Sequence, residues 1–142
     1  MCQEFFRAME LFIWSEECSV GIPELDAQHR QLLEVLAELV KSTKSGESAA
    51  FAPIALERLE KYGTRHLLRE EMVLRIRGYP HYLEHKAEHE VYRQKFVALQ
   101  SNLARRDLAI RVVNFLGEWW KSHIMISDQE YARYFRGRPP AP

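Results

Sequence analysis

Five histidines, one glutamate and one aspartate recur at helical spacings on otherwise apolar stripes, and no other feature of this chain constrains its fold as much. They are His29, His66 with Glu70, His85 with His89, and His123 with Asp128. Around them the apolar residues step by three and four, the period of a helix with one buried face. From Pro23 to about Lys44 the stripe comprises Leu25, Leu32, Leu33, Leu36, Leu39 and Val40, with His29 on it. A second helix is expected from about Ala49 to Arg77, with Leu59, Tyr62, His66, Glu70 and Leu74 on one face. Pro53 fits it only within the first turn. The third, about His81 to Ala104, carries Tyr82, His85, His89, Tyr92, Phe96, Leu99 and Leu103. A fourth presents Val112, Phe115, Trp119, His123 and Ile126 and runs on toward Tyr131.

The breaks between these stripes are short. Ser42–Ser48 is polar with a glycine, and Gly78-Tyr79-Pro80 pairs a helix-ending glycine with a proline suited to a helix start. Arg105-Arg106-Asp107 makes the last join, with Asp107 a candidate N-cap. Four amphipathic helices with short joins predict an all-α fold, an antiparallel up-down-up-down four-helix bundle with an extra N-terminal segment. Residues 1–13 read as an amphipathic extension bearing Phe5, Phe6, Met9, Phe12 and Ile13, residues 14–135 as the bundle, and residues 136–142 as a disordered Pro-rich tail.

Counting from the turns gives each polar group a depth in the bundle. Glu70 lies eight residues before Gly78 and His85 seven after it, while His66 lies twelve before and His89 eleven after. His89 lies sixteen before Arg105, and His123 seventeen after Arg106. With a uniform rise of ~1.5 Å per residue, the five histidines converge on one level. His81, three residues past Gly78, falls near the bundle end and reads as solvated. His123 and Asp128 are five apart, about 140° of rotation in a regular helix, so a local π-type widening is expected between them.

Seven polar groups aimed at one core need strong compensation, because buried carboxylates and unpaired rings are costly. A pair of metal ions is the simplest source. Seven ligands exceed one tetrahedral zinc, and imidazole suits iron, copper, nickel or zinc. Two carboxylates shared among terminal imidazoles point toward paired iron. Cys2 and Cys18, the only cysteines, are too few for a disulfide framework and suit a reducing cytoplasm. Twenty basic and twenty acidic residues give zero net charge, which argues against nucleic acid as a partner. No apolar run reaches the ~20 residues of a transmembrane segment, and the charged N-terminal stretch does not read as a secretory signal.

The ordered combination of Trp14, SVGIPELDAQHRQL around His29, HLLREE from His66, GYPHYLEHKAEHE from Gly78 and WWKSHIMISDQEY from Trp119 resembles the hemerythrins, in particular their bacterial branch, the bacteriohemerythrins. The resemblance spans roughly residues 14 to 134, and all seven family ligand positions are filled. It implies two iron ions per chain, one held by His85, His89 and His123, the other by His29 and His66. Glu70 and Asp128 would bridge them alongside an oxo or hydroxo group. Molecular oxygen would take the open position on the two-histidine iron, with Met125 and Trp119 as oxygen-pocket candidates. Met125 stands where the family commonly has leucine, and Leu67 where it often has phenylalanine, so pocket volume departs from the pattern. The function implied is reversible oxygen binding for storage, transport or local delivery, by a binding protein and not an enzyme. The expected form is a monomer or weak homo-oligomer in the cytoplasm, with an oxygen-using enzyme as a possible recipient. The competing expectations are a diiron oxidase, peroxidase or nitric-oxide scavenger, and an oxygen or redox sensor.

Overall fold

A computed structural model describes residues 12–138. Among these the regular elements are all helical. After a single 3-10 turn at Glu16–Cys18, the first rod is helix α1, Pro23–Ser45. The second rod is α2, Ser48–Tyr62, a π-helical turn over Gly63–Leu67, and α3, Leu68–Ile76. The third is α4, Tyr82–Gln100. The fourth is α5, Leu108–Trp119, a π-helical stretch over Trp120–Ser127, and α6, Asp128–Phe135. The rods run up, down, up and down as an antiparallel bundle. No helix among the described residues is long and apolar enough to cross a membrane.

Local chemistry sets the rod ends. Pro23 opens α1 in its first turn, where its missing amide hydrogen costs no helical bond. Gly46 closes it in the left-handed region, φ 79°, with its amide bonded to the Ser42 carbonyl. At the end of α3, Gly78 has φ 67°. There the Tyr79 amide bonds the Leu74 carbonyl (2.9 Å) and the Gly78 amide the Arg75 carbonyl (3.2 Å). That is the paired-bond C-terminal motif expected of Gly78, and Tyr79 and Leu74 belong to one buried apolar cluster.

Four local expectations are corrected. Pro53 lies in the second turn of α2, which starts at Ser48, and so forfeits one ladder bond at exposed Ala49, where water can substitute. The third rod ends at Gln100, leaving Leu103 in a turn and 50% exposed. Asp107 occupies the N-cap position of α5 but caps no amide. Its carboxylate accepts from Arg105 Nε (2.7 Å) and Arg111 Nε (2.8 Å) instead. Ile126, placed on the buried stripe by an unbroken helical period, is 55% exposed because the π stretch rotates the helix faces that follow it.

The interior has two apolar clusters. The larger contains Leu32, Leu36, Leu39, Leu59, Tyr92 and Trp120, among others. The smaller comprises Val20, Leu25, Leu74, Tyr79, Tyr131, Ala132 and Phe135. On every rod the change of cluster coincides with the polar groups: His29 lies between Leu25 and Leu32, His66 and Glu70 between Tyr62 and Leu74, His85 and His89 between Tyr82 and Tyr92, His123 and Asp128 between Trp120 and Tyr131. The polar layer is therefore walled by hydrocarbon at both ends.

Of the expected N-terminal extension, residues 1–11 lie outside the described residues, as do residues 139–142 of the expected tail. Phe12 packs over α5 at Gly117, where a Cβ would sit 3.4 Å from the ring. Trp14 lies beneath the Arg30 guanidinium, 4.1 Å from the ring centroid.

Candidate metal centre

The seven groups singled out in the sequence meet in one layer, none more than 3% exposed. Their donor atoms form two sets that share Glu70: Glu70, His85, His89 and His123, and His29, His66, Glu70 and Asp128. Glu70 and His66 share a face as an i,i+4 pair. The expected widening between His123 and Asp128 is present, for the Asp128 amide bonds the carbonyl of His123, five residues back. The wide turn at Gly63–Leu67, just where His66 enters the layer, was not legible. Gly63 there lets Tyr92 approach, since a Cβ would be 3.2 Å from its ring.

Each carboxylate divides its oxygens between the two histidine groups. Glu70 Oε1 lies 2.6 Å from His85 Nε2 and 3.0 Å from His89 Nε2, while Oε2 lies 3.3 Å from His66 Nε2. Asp128 Oδ1 lies 3.0 Å from His123 Nε2 and 3.3 Å from His85 Nε2, while Oδ2 lies 3.2 Å from His29 Nε2. Within the groups, His29 and His66 bring their Nε2 atoms to 3.0 Å, and His89 and His123 to 3.1 Å.

The outer nitrogens are also held. His66 Nδ1 pairs with Gln28 Oε1 at 2.7 Å, His89 Nδ1 with Glu71 Oε1 at 2.9 Å, and His123 Nδ1 with Glu88 Oε2 at 2.6 Å. These oxygens accept, so each Nδ1 carries the proton and, in a neutral ring, each Nε2 presents a lone pair inward. Inward lone pairs facing one another and two carboxylates repel unless a cation lies among them. Both Asp128 oxygens, buried, lack a hydrogen-bond donor of normal geometry. Imidazole nitrogens and shared carboxylates are the donor set of a two-metal site, so the residues present fit one.

Without metal, protons serve as the cation. Burial opposes charge on His85, but the adjacent Asp128 and Glu70 carboxylates outweigh it and raise its pKa to about 9. His123 is raised well above the usual value, burial again losing, here to Asp128, Glu70 and Glu88. Burial alone would raise Glu70, yet the surrounding imidazoles of His123, His66, His85 and His89 hold it well below its usual range. His66 goes the other way, lowered by burial despite its bond to Glu70.

His81 sits outside the layer, its side chain 67% exposed and 3.9 Å from Glu84. Trp119 stacks on His123 with centroids 3.8 Å apart, so it packs on the three-histidine side. Met125 is partly buried against the larger apolar cluster. Four layer partners escaped the sequence reading. Tyr131 donates its phenol to Glu70 Oε2 at 3.0 Å. Gln28, Glu71 and Glu88 each adjoin a layer residue in sequence (His29, Glu70 and His89) but reach across to the next rod. That adjacency was their only signal.

A family model described as the hemerythrin HHE cation binding domain matches residues 20–135. Bacteriohemerythrin of Stenotrophomonas maltophilia is 30% identical over 125 residues, covering 87% of this chain and 81% of the relative. Bacteriohemerythrin of Clostridium acetobutylicum is 28% identical over 127 residues, covering 85% and 98%. Myohemerythrin of Sipunculus nudus is 24% identical over 126 residues, covering 89% and 95%.

Proposed function

This chain belongs to the hemerythrin family, and from that membership we propose that it binds molecular oxygen reversibly at a non-haem diiron centre. His85, His89 and His123 would hold one iron, and His29 and His66 the other, with Glu70 and Asp128 bridging. The observation that carries this reading is the division of oxygens: each carboxylate offers one oxygen to the three-histidine group and one to the two-histidine group.

The chemistry such an iron pair supplies when bound is exchange of two electrons with oxygen. The chain's own residues make the exchange reversible. Gln28, Glu71 and Glu88 fix the ring orientations from outside, which keeps each Nε2 aimed inward. The two apolar clusters exclude water, so net charge entering the layer would be costly and oxidation is restrained. Tyr131 donates a hydrogen bond to the ionised Glu70 at Oε2, the oxygen turned to the two-histidine side. A layer this enclosed suits a diatomic ligand better than an organic substrate, which favours a binding protein over an oxidase or peroxidase. Met125 remains a proposal for the pocket wall as the partly buried thioether of the fourth rod, and Trp119, stacked on His123, would bound the layer only on its three-histidine side.

The test is repeated oxygenation of the iron-loaded, reduced chain in a sealed cuvette. The expected result is two irons per chain and a coloured state that returns colourless over several cycles of oxygen removal. Conversion to a stable diferric form in the first cycle, with peroxide released, would replace carriage by redox chemistry.

A further inference from the structure

The five imidazoles are not held alike from outside. On the three-histidine side, His89 donates to the Glu71 carboxylate at 2.9 Å and His123 to the Glu88 carboxylate at 2.6 Å. On the two-histidine side, His66 donates to the neutral amide oxygen of Gln28 at 2.7 Å. The buried Nδ1 of His29 has no hydrogen-bond partner among the described residues. One side thus has two anionic acceptors, the other a single neutral one.

An acceptor on the outer nitrogen raises the basicity of the inner one, and an ionised acceptor makes the stronger bond. More basic imidazoles stabilise the higher metal charge. We propose that Glu71 and Glu88 make the three-histidine position the easier of the two to oxidise, so that a one-electron-oxidised chain carries its ferric ion beside His85, His89 and His123. The inference rests on the diiron reading above. Glu71 and Glu88 act through their histidines, as positioning residues.

The two carboxylates differ in strength. Glu71 Oε1 also accepts from Arg93 Nη2 at 2.7 Å, and that cation draws off part of its charge. Glu88 Oε2 accepts instead from the neutral Ser127 hydroxyl at 2.7 Å and makes the shorter bond to its imidazole. Glu88 therefore contributes more. The electron retained longest is the one on the His29 and His66 side.

Stepwise oxidation by ferricyanide tests this. Each step moves one electron from Fe(II) to ferricyanide, giving Fe(III) and ferrocyanide with no atom transferred. Wild type, Glu88→Gln, Glu71→Gln, Glu88→Asp and Gln28→Glu are loaded with iron, assayed for iron content and reduced before anaerobic titration. Glu88→Gln is expected to disfavour the first step about tenfold, equal to about 59 mV for one electron, and Glu71→Gln to do so by less. Glu88→Asp, which keeps the carboxylate, recovers part of the shift. Gln28→Glu is expected to ease the second step and narrow the gap. Two bound irons with a first step unmoved by both Gln variants, or Gln28→Glu moving the first step, would overturn the inference alone. A wild-type chain with no iron pair overturns the diiron reading beneath it, and the iron assay reports that before any titration.

Discussion

The backbone amide of Asp128 bonds the carbonyl of His123, five residues back where a regular α-helix would use the fourth. This one widened register turns two side chains that an ideal helix would hold about 140° apart toward a common point. π-helical bulges of this kind carry a residue that the α-helical ladder cannot pair, and they concentrate at functional sites. Here the function is geometric: Asp128 reaches His123, His85 and His29 from a rod that would otherwise point it elsewhere.

Deleting Ile126 should close the wide turn and leave His123 and Asp128 four residues apart in a regular helix, about 40° of rotation, so Asp128 should still face the layer. The residue is half-exposed and outside the core, so the bundle should still form. We expect wild-type helicity by circular dichroism with two irons per chain retained. Loss of iron would show that the wide turn does more than bring these two side chains to a common face.

Metal loading should release protons near pH 7.5. His85, with a pKa raised to about 9, and His123, also raised, hold protons at that pH in the metal-free chain and must lose them to bind metal. Calorimetry in buffers of different ionisation enthalpy should detect release of about two protons per chain, one from each ring. The same shifts fix a sign for stability. A raised histidine stabilises the metal-free fold fully below ~6.5, the unfolded value, and loses that contribution as pH rises through the folded value. The melting temperature of the metal-free chain should therefore fall between about pH 7 and 9.5. The iron-loaded chain should instead weaken on acidification below ~6.5, where free histidine takes a proton and competes with the metal.

Replacing Glu70 with Ala should abolish iron binding, since the change removes an oxygen from both donor sets. His81→Ala should leave iron content and melting temperature within error, its ring being exposed and clear of the layer. Equal effects of the two substitutions would refute the depth argument that separated them.

Tyr131→Phe removes the phenol that donates to Glu70 Oε2 at 3.0 Å in a fully buried position. A hydrogen bond to an ionised group contributes about 1.5–3 kcal/mol. Denaturant unfolding of the metal-free variant should show a loss in that range. A loss below ~0.5 kcal/mol would be no more than an ordinary surface substitution, and would mean that Glu70 finds another donor.

The sequence alone carried the number of rods, their antiparallel order, the single depth of seven polar groups, the exclusion of His81 and the need for a widened turn before Asp128. All of these depend on position along one helix or on counting from a turn, and both follow from fixed rise and rotation per residue. Gln28, Glu71 and Glu88 were different. Each sits one residue from a layer group, about 100° away on its own helix, and only the rotation of the neighbouring rod decides whether it meets solvent or an imidazole. Ile126 was misplaced for a related reason: a backbone slip upstream turned the face that periodicity had assigned to it. Local repetition is written in the chain, whereas the relative rotation of packed helices arises from side chains of all four rods fitting together, so the outer partners and their unequal charge belong to the tertiary structure alone.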